Sequence, residues 1–207
     1  MTAETSVQHS FARAVFALDS RLRARIQVFD YSDSSDCILR AQIDRAGSRI
    51  VLRDGLQLGP DDRVVELHYR TETFPTATTD GAAIAWAGRV LERMDFSLCA
   101  LCRRLQSSAA FEDVTAIRAA PLLRNARQAR QFERIASHFG FAPAIEIDPL
   151  PGRLRGLGEN IVTLMLIAAR NPAAAHADLL VGLRPPVFIS RKRLEDRYRQ
   201  ARPTDER

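Results

Sequence analysis

Between Arg49 and Pro75 the chain reads RIVLRDGLQLGPDDRVVELHYRTETFP, and two turn signals cut it into three extended pieces. Asp54-Gly55 is a hairpin dipeptide because glycine tolerates a positive φ. Leu56 and Leu58 alternate with Gln57, the period of a half-buried strand. Gly59-Pro60-Asp61-Asp62 is the second turn, and Arg63 to Arg70 follows as a further strand. Side chains alternate across a strand, so Val65, Leu67 and Tyr69 share one face and Val64, Glu66, His68 and Arg70 the other. The first set predicts the core face. His68 and Glu66 then point away from it, near the strand's end.

Apolar residues make up 46% of the 207 positions, enough for a packed core. The net charge is +5, but only one of the 30 basic residues, Lys192, is a lysine. That skew fits an arginine- and alanine-rich coding background. Nucleic-acid binding needs basic residues gathered on one face, with aromatics for single strands. Here aromatics are sparse and the arginines are spread out, so no nucleic-acid partner is expected. Cys37, Cys99 and Cys102 make no disulfide framework. Ala14–Leu18 is too short for a secretory signal, and no run reaches the roughly 20 apolar residues of a membrane span. The cytoplasm is the expected compartment.

Taken in order, 1–6 reads as disordered and Val7 to Phe29 as a helix with Phe11, Val15, Leu18, Leu22 and Ile26 on one stripe. That stripe suits packing, or a basic helix lying on a membrane surface. Cys37 to Arg45 alternates as a strand, and with the central stretch it predicts an antiparallel meander. From Asp80 to Gln106, Ile84, Ala87, Leu91, Met94, Leu98, Leu101 and Leu105 form a heptad-like seam. A helix so long crosses its own sheet or offers its seam to a second copy. Val114 to Ala120 reads as a strand. Asn125 to Phe139 is a helix stopped by Gly140, with Arg124, Arg127, Arg130 and Arg134 opposite its apolar face. That basic side is a solvated face or meets an anionic partner. Ala144 to Ile147 is a strand, and the strand–helix–strand order suggests a parallel crossover. Glu159 to Arg170 is apolar nearly all round and so buried. Val187-Phe188-Ile189 is a last strand, Ser190 caps a helix to Gln200, and 201–207 frays.

Three groups invite a chemical reading. Cys99-x-x-Cys102 lies far from its helix's start, where a dipole would lower a thiol pKa, and lacks the second pair that zinc needs. Gly156-Leu157-Gly158 looks like a phosphate loop, but it lacks a third glycine and a preceding strand. Neither carries a cofactor, and no metal is expected. His68 with Glu66 and Glu72 is the third group. An imidazole oriented by a carboxylate serves as a general base or a ligand contact. The plainer alternative is a hydrogen-bonded histidine at a strand end. His9, His138 and His176 have no ligand spacing.

Asp54-Gly55, Gly59-Pro60-Asp61-Asp62 and Val65-Glu66-Leu67-His68 resemble the YkoP-like domain, whose D-G … G-D … E-L-H progression is followed by an acidic residue, here Glu72. Ala116-Ile117 through Leu122-Leu123, then Phe139-Gly140-Phe141, look like its middle strand and helix-ending turn. Val187-Phe188-Ile189-Ser190-Arg191 with Leu194 and Tyr198 is similar to its closing signature. The similarity runs from Cys37 to Tyr198. Tyr69-Arg70-Thr71 departs from it, standing where a polar amide follows the histidine in that family. The resemblance implies a link to the bacterial cell envelope, in polysaccharide or lipid metabolism, and no particular activity.

The expected fold is therefore α+β: a single domain over 7–200 with an antiparallel β-meander, a long packing helix, a β-α-β unit and a C-terminal strand and helix. The expected function is a cytoplasmic ligand-binding or accessory module. Its site would join Glu66, His68 and Glu72 to Ser190 and Arg191, whose planar guanidinium would hold a small anionic or sugar-phosphate ligand. One alternative is a hydrolase or transferase with His68 as base and Glu72 orienting it. Another is a homodimeric scaffold through the helix at 80–106.

Overall fold

The computed structural model describes residues 27–70, 72–75, 83–147 and 182–199, with isolated helical positions at 17, 21, 160, 164, 165 and 168. Expectations for 1–6, the glycines at 156–158, His9, His176, the tail and most of the helices at 7–29 and 159–170 lie outside them. The described chain is α+β. Its strands are β1 (Leu39–Arg45), β2 (Ile50–Val51), β3 (Gln57–Leu58), β4 (Arg63–Tyr69), β5 (Val114–Ala119), β6 (Ala142–Pro143), β7 (Ile145–Glu146) and β8 (Val187–Ser190). Its helices are α1 (Ala83–Ser107), α2 (Ala126–His138) and α3 (Arg191–Tyr198), with a single 3-10 turn at Ala109–Phe111.

The main sheet has the order β1-β4-β5-β8-β6. β4 and β5 run parallel, while β1 pairs antiparallel with β4 and β8 antiparallel with both β5 and β6. The expected meander is corrected at one point. β1 pairs with β4 directly, and the intervening hairpin β2–β3 leaves to join β7 in a second sheet. Gly47, at φ 79°, turns the chain out of β1. The Ala46 and Gly47 amides then donate to the Asp62 and Pro60 carbonyls at 2.9 and 2.8 Å, closing the β1/β4 ladder beneath the hairpin. Gly55, at φ 86°, makes the predicted Asp54-Gly55 turn. The hairpin's Ile50, Leu52 and Leu58 form a small core with Val64, Ala116 and Phe188 of the main sheet.

The crossover β5–α2–β6 is parallel in sense, since both strands oppose β8, but β8 lies between them. The strand expected at 144–147 is replaced by two pieces, β6 in the main sheet and β7 in the small one. Pro143 has no N–H to donate, so β6 sits at the sheet's edge, where proline is tolerated. Asn125 caps α2 by accepting from the Gln128 amide at 3.0 Å.

One face of the main sheet carries Leu39, Ala41, Val65, Ile117, Val187 and Ile189. They pack in one cluster with Leu98, Leu101, Cys102 and Leu105 of α1 and Leu194 and Tyr198 of α3. The seam of α1 packs on its own sheet from Met94 onward. Towards its start Ile84 is 89% exposed and Leu91 38%. At the N-terminal side the chain is not helical over 27–29, where the helix was expected to run on to Phe29. Gln27 takes a φ of 56°, and Phe29 exchanges backbone hydrogen bonds with Ala41 at 2.9 and 3.1 Å. Pairing with Phe29 occupies edge groups of β1 that would otherwise invite another strand. Among the described residues no helix is long and apolar enough to cross a membrane.

Candidate functional site

Alternation along β4 puts Val65 in the core and half-buries Leu67. Tyr69 emerges at the rim, 45% exposed, edge-on to Phe74 with ring centroids 5.4 Å apart. The opposite face of the same strand carries Glu66 and His68. Register extends that face sideways: Gln42 lies beside Glu66 and Arg40 beside His68 on β1, and Arg118 lies beside Glu66 on β5. Three strands thus contribute one polar patch at the carboxyl ends of the parallel pair β4 and β5. Open sheets bind ligands at such strand ends.

The contacts within the patch are specific. His68 Nε2 and Gln42 Oε1 are 3.0 Å apart. The Arg118 guanidinium donates through one terminal nitrogen to Asp44 Oδ2 at 2.9 Å and to Glu66 Oε2. These side chains are largely covered: Arg118 is 16% exposed, Glu66 15% and Asp44 23%. Withdrawing charges from water is costly unless they pair, and here one cation holds two carboxylates. Among the described residues the Nε–H groups of Arg118 and Arg70 are buried without a hydrogen-bond partner. Buried donors are nearly always satisfied, so each of these N–H groups calls for an acceptor, from a water or a ligand atom, beyond the contacts within the patch; the Arg70 Nε also lies 3.8 Å from Asp30 Oδ1.

Glu72 belongs to the rim of this patch. Its carboxylate lies 3.1 Å from the Arg40 guanidinium, whose Nε–H donates to Asp30 Oδ1 at 2.7 Å. Arg70 donates to the Ser32 and Ser34 carbonyls at 3.3 Å each. The charge of Glu72 is therefore neutralised by Arg40, while the imidazole of His68 is held by Gln42.

Ser190 and Arg191 do not join His68. β8 runs against β5, so Ser190 pairs with Ala116, which is level with Val64 on β4. His68 lies four residues further along, about 13 Å, and two strands across. The Ser190 hydroxyl accepts from the Arg193 amide at 3.3 Å, capping α3, and donates to the Asp54 carboxylate. Arg191 is fully engaged elsewhere. It donates to the carbonyls of Leu105 at 2.7 Å, Phe111 at 2.6 Å and Glu112 at 3.1 Å, and to Glu195 Oε1 at 2.7 Å. Its planar fork closes the C-terminal end of α1 and the turn after it, where carbonyls lack intrahelical donors.

Cys99 is half-buried and Cys102 buried inside α1. Burial pushes the Cys102 thiol up, and Glu195 and Cys99 push it the same way, opposite to what a reactive thiol needs. Among the described residues no three His, Cys, Asp or Glu side chains gather as a metal site.

Gln42, Asp44 and Arg118 complete the patch, and sequence reasoning did not place them in the site. Gln42 and Asp44 were legible as the wet face of β1. The available signal for Arg118 was a charged residue in the otherwise apolar run Val114–Ala119, but its neighbours depend on strand order. No protein-family model matches the chain, and no curated protein and no solved structure is significantly similar to it.

Proposed function

We propose that this protein is a non-catalytic ligand-binding or accessory module, and that its site is the polar patch of Gln42, Asp44, Glu66, His68 and Arg118. The buried, unpaired Nε–H of Arg118 carries the reading. The Arg118 guanidinium offers a cation to an anionic group, and the carboxylates of Asp44 and Glu66 suit hydroxyl groups. A small sugar phosphate has both chemistries. The pairing of Glu72 with Arg40 weighs against an acid–base dyad with His68. Arg191 is assigned a structural part, because its donors are occupied by carbonyls. A cytoplasmic location and membership of the YkoP-like domain family, with its implied tie to cell-envelope metabolism, belong to the same proposal.

Native mass spectrometry of the protein as purified tests it. A retained adduct of sugar-phosphate mass on the wild type, lost in both His68→Ala and Arg118→Met, is the expected result. An adduct that survives both substitutions places binding elsewhere and ends this reading.

A further inference from the structure

Leu91 of α1 and Gln131, Arg134, Ile135 and His138 of α2 line a shallow groove of about 380 Å³. Its floor is aliphatic: Leu91 is 38% and Ile135 45% exposed. The steps Arg127, Arg130, Arg134, His138 are three and four residues apart, so they form one stripe along α2. Arg127, Arg130 and Arg134 are exposed, and among the described residues none of the three has an ion-pair partner. Against them α2 carries a single acidic residue, Glu133.

We propose that this groove docks an acidic amphipathic helix of a partner protein, whose apolar side chains enter between Leu91 and Ile135 while its carboxylates meet Arg127, Arg130 and Arg134. Charge complementarity selects this occupant. A second copy seated symmetrically would bring two sets of unpaired arginines into one interface, and like charges across an interface are costly. A membrane-surface helix presents a row of exposed apolar groups, whereas Ile135 is the one exposed large apolar side chain of α2 among the described residues. Single-stranded nucleic acid stacks chiefly on Phe, Tyr and Trp rings, and the groove lining has none of these. An amphipathic helix in a groove, anchored at i, i+3, i+4 and i+7, matches both the shape and the charge.

Fluorescence anisotropy tests the docking with a labelled helical peptide carrying leucines at those four positions and glutamates on its flanks. A second peptide has lysines in place of the glutamates. The glutamate peptide should bind saturably, and the lysine peptide at least about tenfold more weakly. Ile135→Asp and the pair Arg130→Glu/Arg134→Glu should each weaken the glutamate peptide by about tenfold or more. Unchanged far-UV circular dichroism checks that these variants fold, and Ile135→Ser serves if Ile135→Asp does not. The proposal is overturned if neither peptide binds or if the groove variants bind as the wild type does. It is equally overturned by Ile135-dependent sedimentation with phosphatidylserine vesicles, or by an Ile135-dependent dimer in light scattering.

Discussion

The hydroxyl of Ser190 donates to the carboxylate of Asp54, joining the cap of α3 to the tip of the β2–β3 hairpin across 136 positions of sequence. The same oxygen accepts from the Arg193 amide. One buried side chain therefore ends β8, starts α3 and anchors the small sheet. Ser190→Ala should cost about 1–2 kcal/mol in urea unfolding, the usual loss for an N-cap. Asp54→Ala should cost less on top of Ser190→Ala than alone, because the shared contact is then already gone and only its bond from the Leu56 amide at 3.3 Å remains to lose. Full additivity in that double-mutant cycle would show that the Ser190–Asp54 bond contributes nothing.

Arg191 acts on the other side of the same junction. Removing it leaves the carbonyls of Leu105, Phe111 and Glu112 without this donor. Arg191→Ala should destabilise by about 2–3 kcal/mol, and Arg191→Lys should recover only part, since an ammonium lacks the fork. The midpoint of chemical unfolding measures both. Ligand retention should be unchanged in Arg191→Lys, and a selective loss of ligand there would return Arg191 to the site.

Arg118 holds two carboxylates that are mostly out of water. Arg118→Met leaves both without that cation, and breaking such a pair should cost about 3 kcal/mol. Replacing Asp44 and Glu66 by Asn and Gln in the same background should restore much of the loss, because neutral amides are cheaper to bury. A thermal-melt series over these variants checks the order.

Tyr198 is buried, and its hydroxyl donates to Asp95 Oδ1 at 3.0 Å. Burial, then the charge of Asp95, pushes its phenol well above the ordinary tyrosine range. The unfolded chain ionises first, at a pH of about 10. The stability Tyr198 contributes is thus fully present below that pH and is lost as pH rises towards the folded value. Tyr31, also raised chiefly by burial, adds to the same trend. Unfolding midpoints followed from neutral to strongly alkaline pH should fall less steeply for Tyr198→Phe than for the wild type. Parallel curves would show that Tyr198 does not contribute to the alkaline limb.

Much of the local structure was legible in the sequence because it depends on neighbours along the chain. The Asp54-Gly55 turn, the cap at Ser190 and the alternation that turns Glu66 and His68 away from Val65 are of that kind. The departure of the β2–β3 hairpin and the insertion of β8 between β5 and β6 were not legible. Both depend on which distant strands pair, and nothing local records that choice. The site followed the same division. His68 and Glu66 were found from alternation, whereas Gln42 and Arg118 entered through register with β1 and β5. Ser190 and Arg191 were joined to His68 on the assumption that β8 ran alongside with its end nearby, and its antiparallel sense carries that end away.

The most direct measurement is a ¹H–¹⁵N correlation titration of the protein with hexose phosphates. Saturable shifts at the amides of Gln42, Glu66, His68 and Arg118, with Ser190 and Arg191 unmoved, are the result expected for a ligand seated on the polar face of β1, β4 and β5. Shifts confined to α2 or to the Ser190–Arg191 junction, or none at any hexose phosphate, would contradict it.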